Sequence, residues 1–361
     1  MLNNIQILRF LAAFVVVLHH MQPPITPFRF DFFPAFLTQI GFAGVDIFFV
    51  ISGFIMAQTT RNLPSGFRTS THFLVLRFGR IYIGWWPFFL LFFMSINVRS
   101  QIDLLGSFFL WPQDLMQNLL PITWTLSFEL YFYLSVAIIV AWNRSHAIFV
   151  LFFLAFIIAL MNLYFYSHGL YLPENEAHAK VNLMIPFYLS PLSLEFIAGF
   201  IASDWLRKKP IQNLSYWLIG AFCFFITSYM YQGYLPQTYS GMAGFFHVCE
   251  RTFFLGGFAL CTVIIAMEFE RRKITPFAYL RKLGDASYSI YLSHLVVLIF
   301  MGKIYNKHQV TLQLSSTTWG VFSIALIFLI SRLYYIYYEK PVNSKLKNIS
   351  EKIFIPSSKT T

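Results

Sequence analysis

Ten stretches of this chain, at about 6–22, 41–58, 81–98, 122–142, 147–166, 186–204, 213–231, 252–268, 286–302 and 318–338, are each apolar over roughly the 20 residues that an α-helix needs to cross a hydrocarbon layer. In lipid every backbone N–H and C=O must be paired inside the protein, so runs of this length are expected as helices. Apolar residues make up 57% of the 361 and charged residues only 11%, which leaves little chain for a soluble domain. The expected fold is therefore all-α, a polytopic membrane helix bundle of about ten transmembrane helices over residues 1–340, with a short, basic, loosely ordered cytoplasmic tail at 341–361.

A net charge of +11 would ordinarily suggest an anionic partner such as nucleic acid. In a multispan protein the placement of Lys and Arg matters more than their sum. With both termini cytoplasmic, eighteen of them fall in inner loops or the tail and six in outer loops, leaving Arg9 and Arg332 within spans. That asymmetry selects one orientation, and no nucleic-acid partner is expected. Cys223, Cys249 and Cys261 lack the paired spacing of a disulfide framework or a metal cluster. Pro23 and Pro24 follow the first apolar run with no small-residue cleavage site, so that run is expected as a retained helix.

Ionisable residues inside spans cost about 2.5–3.5 kcal/mol each on insertion scales, so they are the candidates for function. Arg9 and His20 lie eleven residues apart, three helical turns plus about 20°, which puts them on one face and roughly 16 Å apart. Taken alone, the pair also suits an arginine anchor at one interface and a histidine marker at the other. Asp46 lies among aromatics and glycines in the second run, and Glu129 and Glu195 repeat the oddity in the fourth and sixth. Asp46 is expected to orient a histidine or pair with an arginine. Arg77 and Arg80, at the inner end of the third run, share a helix face, where two guanidinium forks suit a phosphate-bearing ligand as well as they suit a topology signal. Ser287, Tyr291 and His294 form a polar stripe in the ninth run, with His294 expected to support a site. The aromatic abundance is assigned to interface belts and packing.

Several segments together resemble the bacterial type 3 acyltransferases, integral membrane proteins that move acyl groups, usually acetyl, onto cell-surface sugars. They are Leu8-Arg9 with His20, Gly44 to Phe54, Arg77-Phe-Gly-Arg80, Trp124-Thr-Leu-Ser-Phe-Glu129 with Phe132 to Leu134, and Leu283 to His294. The resemblance implies catalytic roles for His20 and Arg9 and donor binding by Arg77 and Arg80. Asp46, Glu129, Trp124, Ser127, Glu195, Tyr291 and His294 are expected to shape the site. Leu130 stands where many relatives carry a second acidic residue, and no appended hydrolase-like domain is expected. Acyl-coenzyme A, as acetyl-CoA, would be the co-substrate, with no permanently bound cofactor or metal.

The expected acceptor is a polysaccharide or its lipid-linked precursor. The opening Asn4 to Arg9 looks closest to exopolysaccharide-modifying members, and the expected location is the bacterial inner membrane, beside possible polysaccharide-assembly proteins. His20 would act as general base, its tautomer fixed by Asp46 or Glu129. The buried charges alone would equally suit a proton-coupled transporter or flippase of a small anionic or sugar substrate.

Overall fold

A computed structural model describes residues 2–23, 25–28, 32–95, 101–168, 184–209, 211–232 and 249–354. Of the six basic residues expected in outer loops, Arg29, Arg99 and Lys180 lie outside the described residues. Each of the ten apolar runs falls on a helix: α1 (Asn3–His20), α3 (Ala43–Thr60), α4 (Phe67–Ser95), α6 (Trp124–Trp142), α7 (Ala147–Ser167), α9 (Leu192–Lys208), α10 (Leu214–Gln232), α11 (Cys249–Arg271), α13 (Ser287–Leu312) and α14 (Ser316–Tyr334). Short helices α2 (Ala35–Gln39), α5 (Leu104–Phe109), α8 (Met184–Tyr188) and α12 (Arg281–Asp285) connect them, and α15 (Lys340–Phe354) follows.

Among the described residues, eight helices are long and apolar enough to cross a membrane. Of the ten, α1 and α9 fall short of that measure. α1 carries Asn3, Asn4, Gln6, Arg9, His19 and His20 in 18 residues, and α9 is only 17 residues long.

Two expectations about boundaries are corrected. α4 begins at Phe67, well before 81, so Arg77 and Arg80 sit inside a 29-residue helix and not at its mouth. Interruption of the apolar run by Arg68, Arg77 and Arg80 hid that start. The residues after Pro341 are also not loosely ordered as far as Phe354, because a π turn over Tyr335–Glu339 leads directly into α15. A wide turn there accommodates a proline that has no N–H to donate. Its Leu346 packs on Gly79, and the Ile353 carbonyl accepts from Arg68 at 2.9 Å.

The chain divides into two compact, interleaved units. The first comprises 1–48, 83–96 and 266–342. Its core joins Phe10, Ala13, Val17 and Leu18 of α1 to Ile290, Val297 and Leu298 of α13 and to Trp319 and Ile327 of α14. Gly44 lets α3 meet α1, since a β-carbon there would stand 2.2 Å from the Ala12 carbonyl oxygen. The first turn of α1 is capped from far along the chain: the Glu270 carboxylate accepts from the Asn3 N–H at 3.0 Å and the Asn4 N–H at 2.8 Å. An anion at that position satisfies orphan donors and complements the helix dipole.

Pro87, inside α4, removes the N–H that would reach the Ile83 carbonyl. The Tyr334 hydroxyl lies 3.2 Å from that freed Ile83 oxygen and 3.1 Å from the neighbouring Gly84 oxygen. Removing that hydroxyl in Tyr334→Phe leaves a buried carbonyl short of a donor. It should lower stability by about 1–3 kcal/mol, read as a fall in thermal midpoint in detergent, and an unchanged midpoint would refute the assignment.

The second unit comprises 49–82, 97–265 and 343–361. Here α3 and α9 cross backbone to backbone: a β-carbon on Gly53 would stand 1.9 Å from the Phe196 carbonyl oxygen, and one on Gly199 2.0 Å from that of Val50. Small residues at such crossings allow the close approach on which helix association in lipid depends. Around this crossing Phe132 stacks on Phe196 at 4.3 Å and Phe128 lies 4.2 Å from Phe187. At one end Asp204 lies 3.7 Å from Arg61 and 3.8 Å from Arg144.

Candidate active site

In the first unit the chemistry gathers where α1 ends. Arg9 and His20 occupy one continuous helix, as their spacing predicted, and the Arg9 guanidinium donates to Gln6 Oε1 at 3.2 Å. His20 Nδ1 lies 2.9 Å from the Val16 carbonyl oxygen, one helical turn back. A carbonyl only accepts, so in the neutral ring Nδ1 carries the hydrogen and Nε2 is left as the base. The helix itself thus fixes the tautomer of the neutral ring. Asp46 is fully buried on α3.

His294 repeats the arrangement on α13. Its Nδ1 lies 2.6 Å from the Tyr291 carbonyl oxygen, its ring is 5.0 Å from that of His20 centroid to centroid, and the residue is fully buried. Tyr291 packs 5.7 Å from His294 and 6.1 Å from Phe48. Ser287, Tyr291 and His294 are all buried, so the predicted stripe is an inward-facing one. His19, whose Nδ1 reaches the Thr38 carbonyl at 2.8 Å, lies 5.1 Å from His20.

In the second unit a different cluster forms. Arg77 lies over Phe73 at 5.6 Å and over Tyr133 at 5.9 Å. The Tyr133 hydroxyl donates to Glu129 in a short hydrogen bond. Arg80 acts on the same tyrosine electrostatically. The structure therefore unites Arg77, Arg80 and Glu129, three predicted residues, around Tyr133, which sequence reasoning did not single out. Its position four residues after Glu129, on the same helix face, is the signal that was available. Two forks of fixed positive charge, one of them stacked between aromatic rings, suit a phosphate ligand.

Trp124 packs edge-on against Phe49 at 6.0 Å and Phe128 at 5.8 Å, and it belongs, like the buried Ser127, to the wall of α6. Glu195 is brought elsewhere within this unit. It lines a cavity of about 740 Å³ with Asn162, Leu194, Cys249, Thr252 and Phe253.

Eight helices, among the described residues, long and apolar enough to cross a membrane define the class: an integral, multi-pass membrane protein. A family model described as an acyltransferase domain matches residues 2–336, almost the whole chain, and the protein belongs to the type 3 acyltransferase family. It is accordingly an acyltransferase of groups other than aminoacyl groups. No curated protein and no solved structure matches it.

Proposed function

We propose that the protein transfers an acyl group, acetyl in the simplest case, from acyl-coenzyme A to a hydroxyl of a cell-surface or exported polysaccharide or of its lipid-linked precursor, in the bacterial cytoplasmic membrane. The observation that supports this reading is His20, a half-buried imidazole whose Nδ1 lies against the Val16 carbonyl, which leaves the lone pair of the neutral ring on Nε2. Family membership supplies the reaction class, and among the readings open to the sequence it favours group transfer over transport.

In this reaction His20 Nε2 removes the acceptor hydroxyl proton as the oxygen attacks the thioester carbonyl. The new C–O bond forms, the C–S bond breaks, and the proton passes from the imidazolium to the departing thiolate. A neutral imidazole, which can take up a proton at Nε2 and give it back from the same atom, suits both halves of that exchange. Arg77 and Arg80 take the phosphates of the coenzyme, and Arg9, on the His20 face of α1, adds fixed positive charge for the anionic donor.

The test is to incubate purified protein with radiolabelled acetyl-coenzyme A and the polysaccharide fraction of cells lacking the gene. Transfer of label to that fraction, with coenzyme release in equal amount, is the expected result. Uptake of substrate into vesicles without coenzyme release would overturn the reading.

A further inference from the structure

Deep in the first unit, His294 Nε2 is buried and has no hydrogen-bond partner. Its other nitrogen is occupied by the Tyr291 carbonyl, so Nδ1 is the donor and Nε2 is a bare lone pair. Buried acceptors without partners are rare in folded proteins, and those that persist often belong to a working site. His19, the other ring against His20, also has its Nδ1 held by a carbonyl, that of Thr38, but it is only half-buried. On α13 the neighbouring Ser293 hydroxyl is taken up with Ser331 at 2.8 Å, so it does not compete for the lone pair.

The ring that His294 faces is the proposed base, 5.0 Å away between centroids. Once His20 has taken the hydroxyl proton it is an imidazolium with hydrogens on both nitrogens. Nδ1–H is satisfied by Val16, whereas Nε2–H has lost the alkoxide oxygen to the new ester bond. A cation inside an apolar bundle is costly unless its donors are paired. A neutral imidazole lone pair is a strong acceptor for such a donor.

We infer that His294 is a positioning residue for the transfer: its Nε2 accepts a hydrogen bond from Nε2–H of the His20 imidazolium and holds that proton in place until the departing thiolate takes it. The inference rests on His20 being the base. No proton is transferred to His294, so the balance of the reaction is unchanged.

The experiment compares His294→Phe, which keeps a flat ring and loses both nitrogens, with His294→Gln, whose side-chain oxygen restores an acceptor near the Nε2 position. Both are purified in the same detergent as the parent, with thermal midpoints measured first. His294→Phe should lose about ten- to a hundredfold in kcat with KM for acetyl-coenzyme A unchanged, and His294→Gln should stay within tenfold of the parent. Where His294→Phe does not fold, the glutamine variant decides alone: a kcat within tenfold supports the role and a greater loss overturns it. A folded His294→Phe with parental kcat, or a change confined to KM, also overturns it. An inactive His20→Ala beside a fully active His294→Phe would remove only this inference. An active His20→Ala would remove the base assignment beneath it.

Discussion

Purified His20→Ala protein is expected to remain folded and to bind acetyl-coenzyme A, yet to transfer its acyl group at least a hundredfold more slowly than the parent, in keeping with the 10²–10⁴ that a general base contributes. Stability should change little. His20 is the last residue of α1, is only half-buried, and spends its one fixed hydrogen bond on its own helix at Val16. The contrast between intact donor binding and lost turnover is what distinguishes a base from a packing residue. Binding can be read as protection of the thermal midpoint by the coenzyme, and turnover as thiol release in the presence of acceptor. A His20→Ala protein that acetylates at the parental rate would end the assignment.

The double variant Arg77→Ala with Arg80→Ala should act on the other side of the reaction. Hydrogen bonds to charged groups contribute about 1.5–3 kcal/mol each, so losing both forks should raise KM for the donor by a hundredfold or more while kcat at saturation falls far less. Arg77→Lys separates charge from shape. It keeps a cation but gives up the planar fork and the packing over Phe73 and Tyr133, so an intermediate rise in KM is expected. If the double variant kept the parental KM, Arg77 and Arg80 would be topological charges only, and the donor's phosphates would have to be bound by other residues.

How much of this was legible beforehand depends on the range over which each interaction acts. The helices were readable because the hydrophobic run that defines them is continuous in sequence, and all ten runs fall on helices. The eleven-residue interval between Arg9 and His20 was equally local, as was the stripe of Ser287, Tyr291 and His294. The start of α4 was not readable, because its first turns carry arginines that packing against α15 supports. Pro341 signalled a stop, and only the π turn before it shows why the helix continues. The partner of Pro87 was hidden for a different reason: Tyr334 lies 250 residues from Gly84, and nothing local in either segment announces the other. The tautomer of His20 is local too, since a helix always offers a carbonyl four residues back, here that of Val16.

One contact also sets a timetable. The carboxylate that caps α1 belongs to Glu270, 267 positions after Asn3. At synthesis rates of about 5–20 residues per second, the helix bearing Arg9 and His20 leaves the ribosome roughly a quarter of a minute to a minute before its cap exists. Through that interval its first N–H groups depend on water or on the insertion machinery. The first helix of the described residues is therefore completed only late in synthesis, and a chain stalled before Glu270 would display the helix bearing Arg9 and His20 without the anchor that completes it.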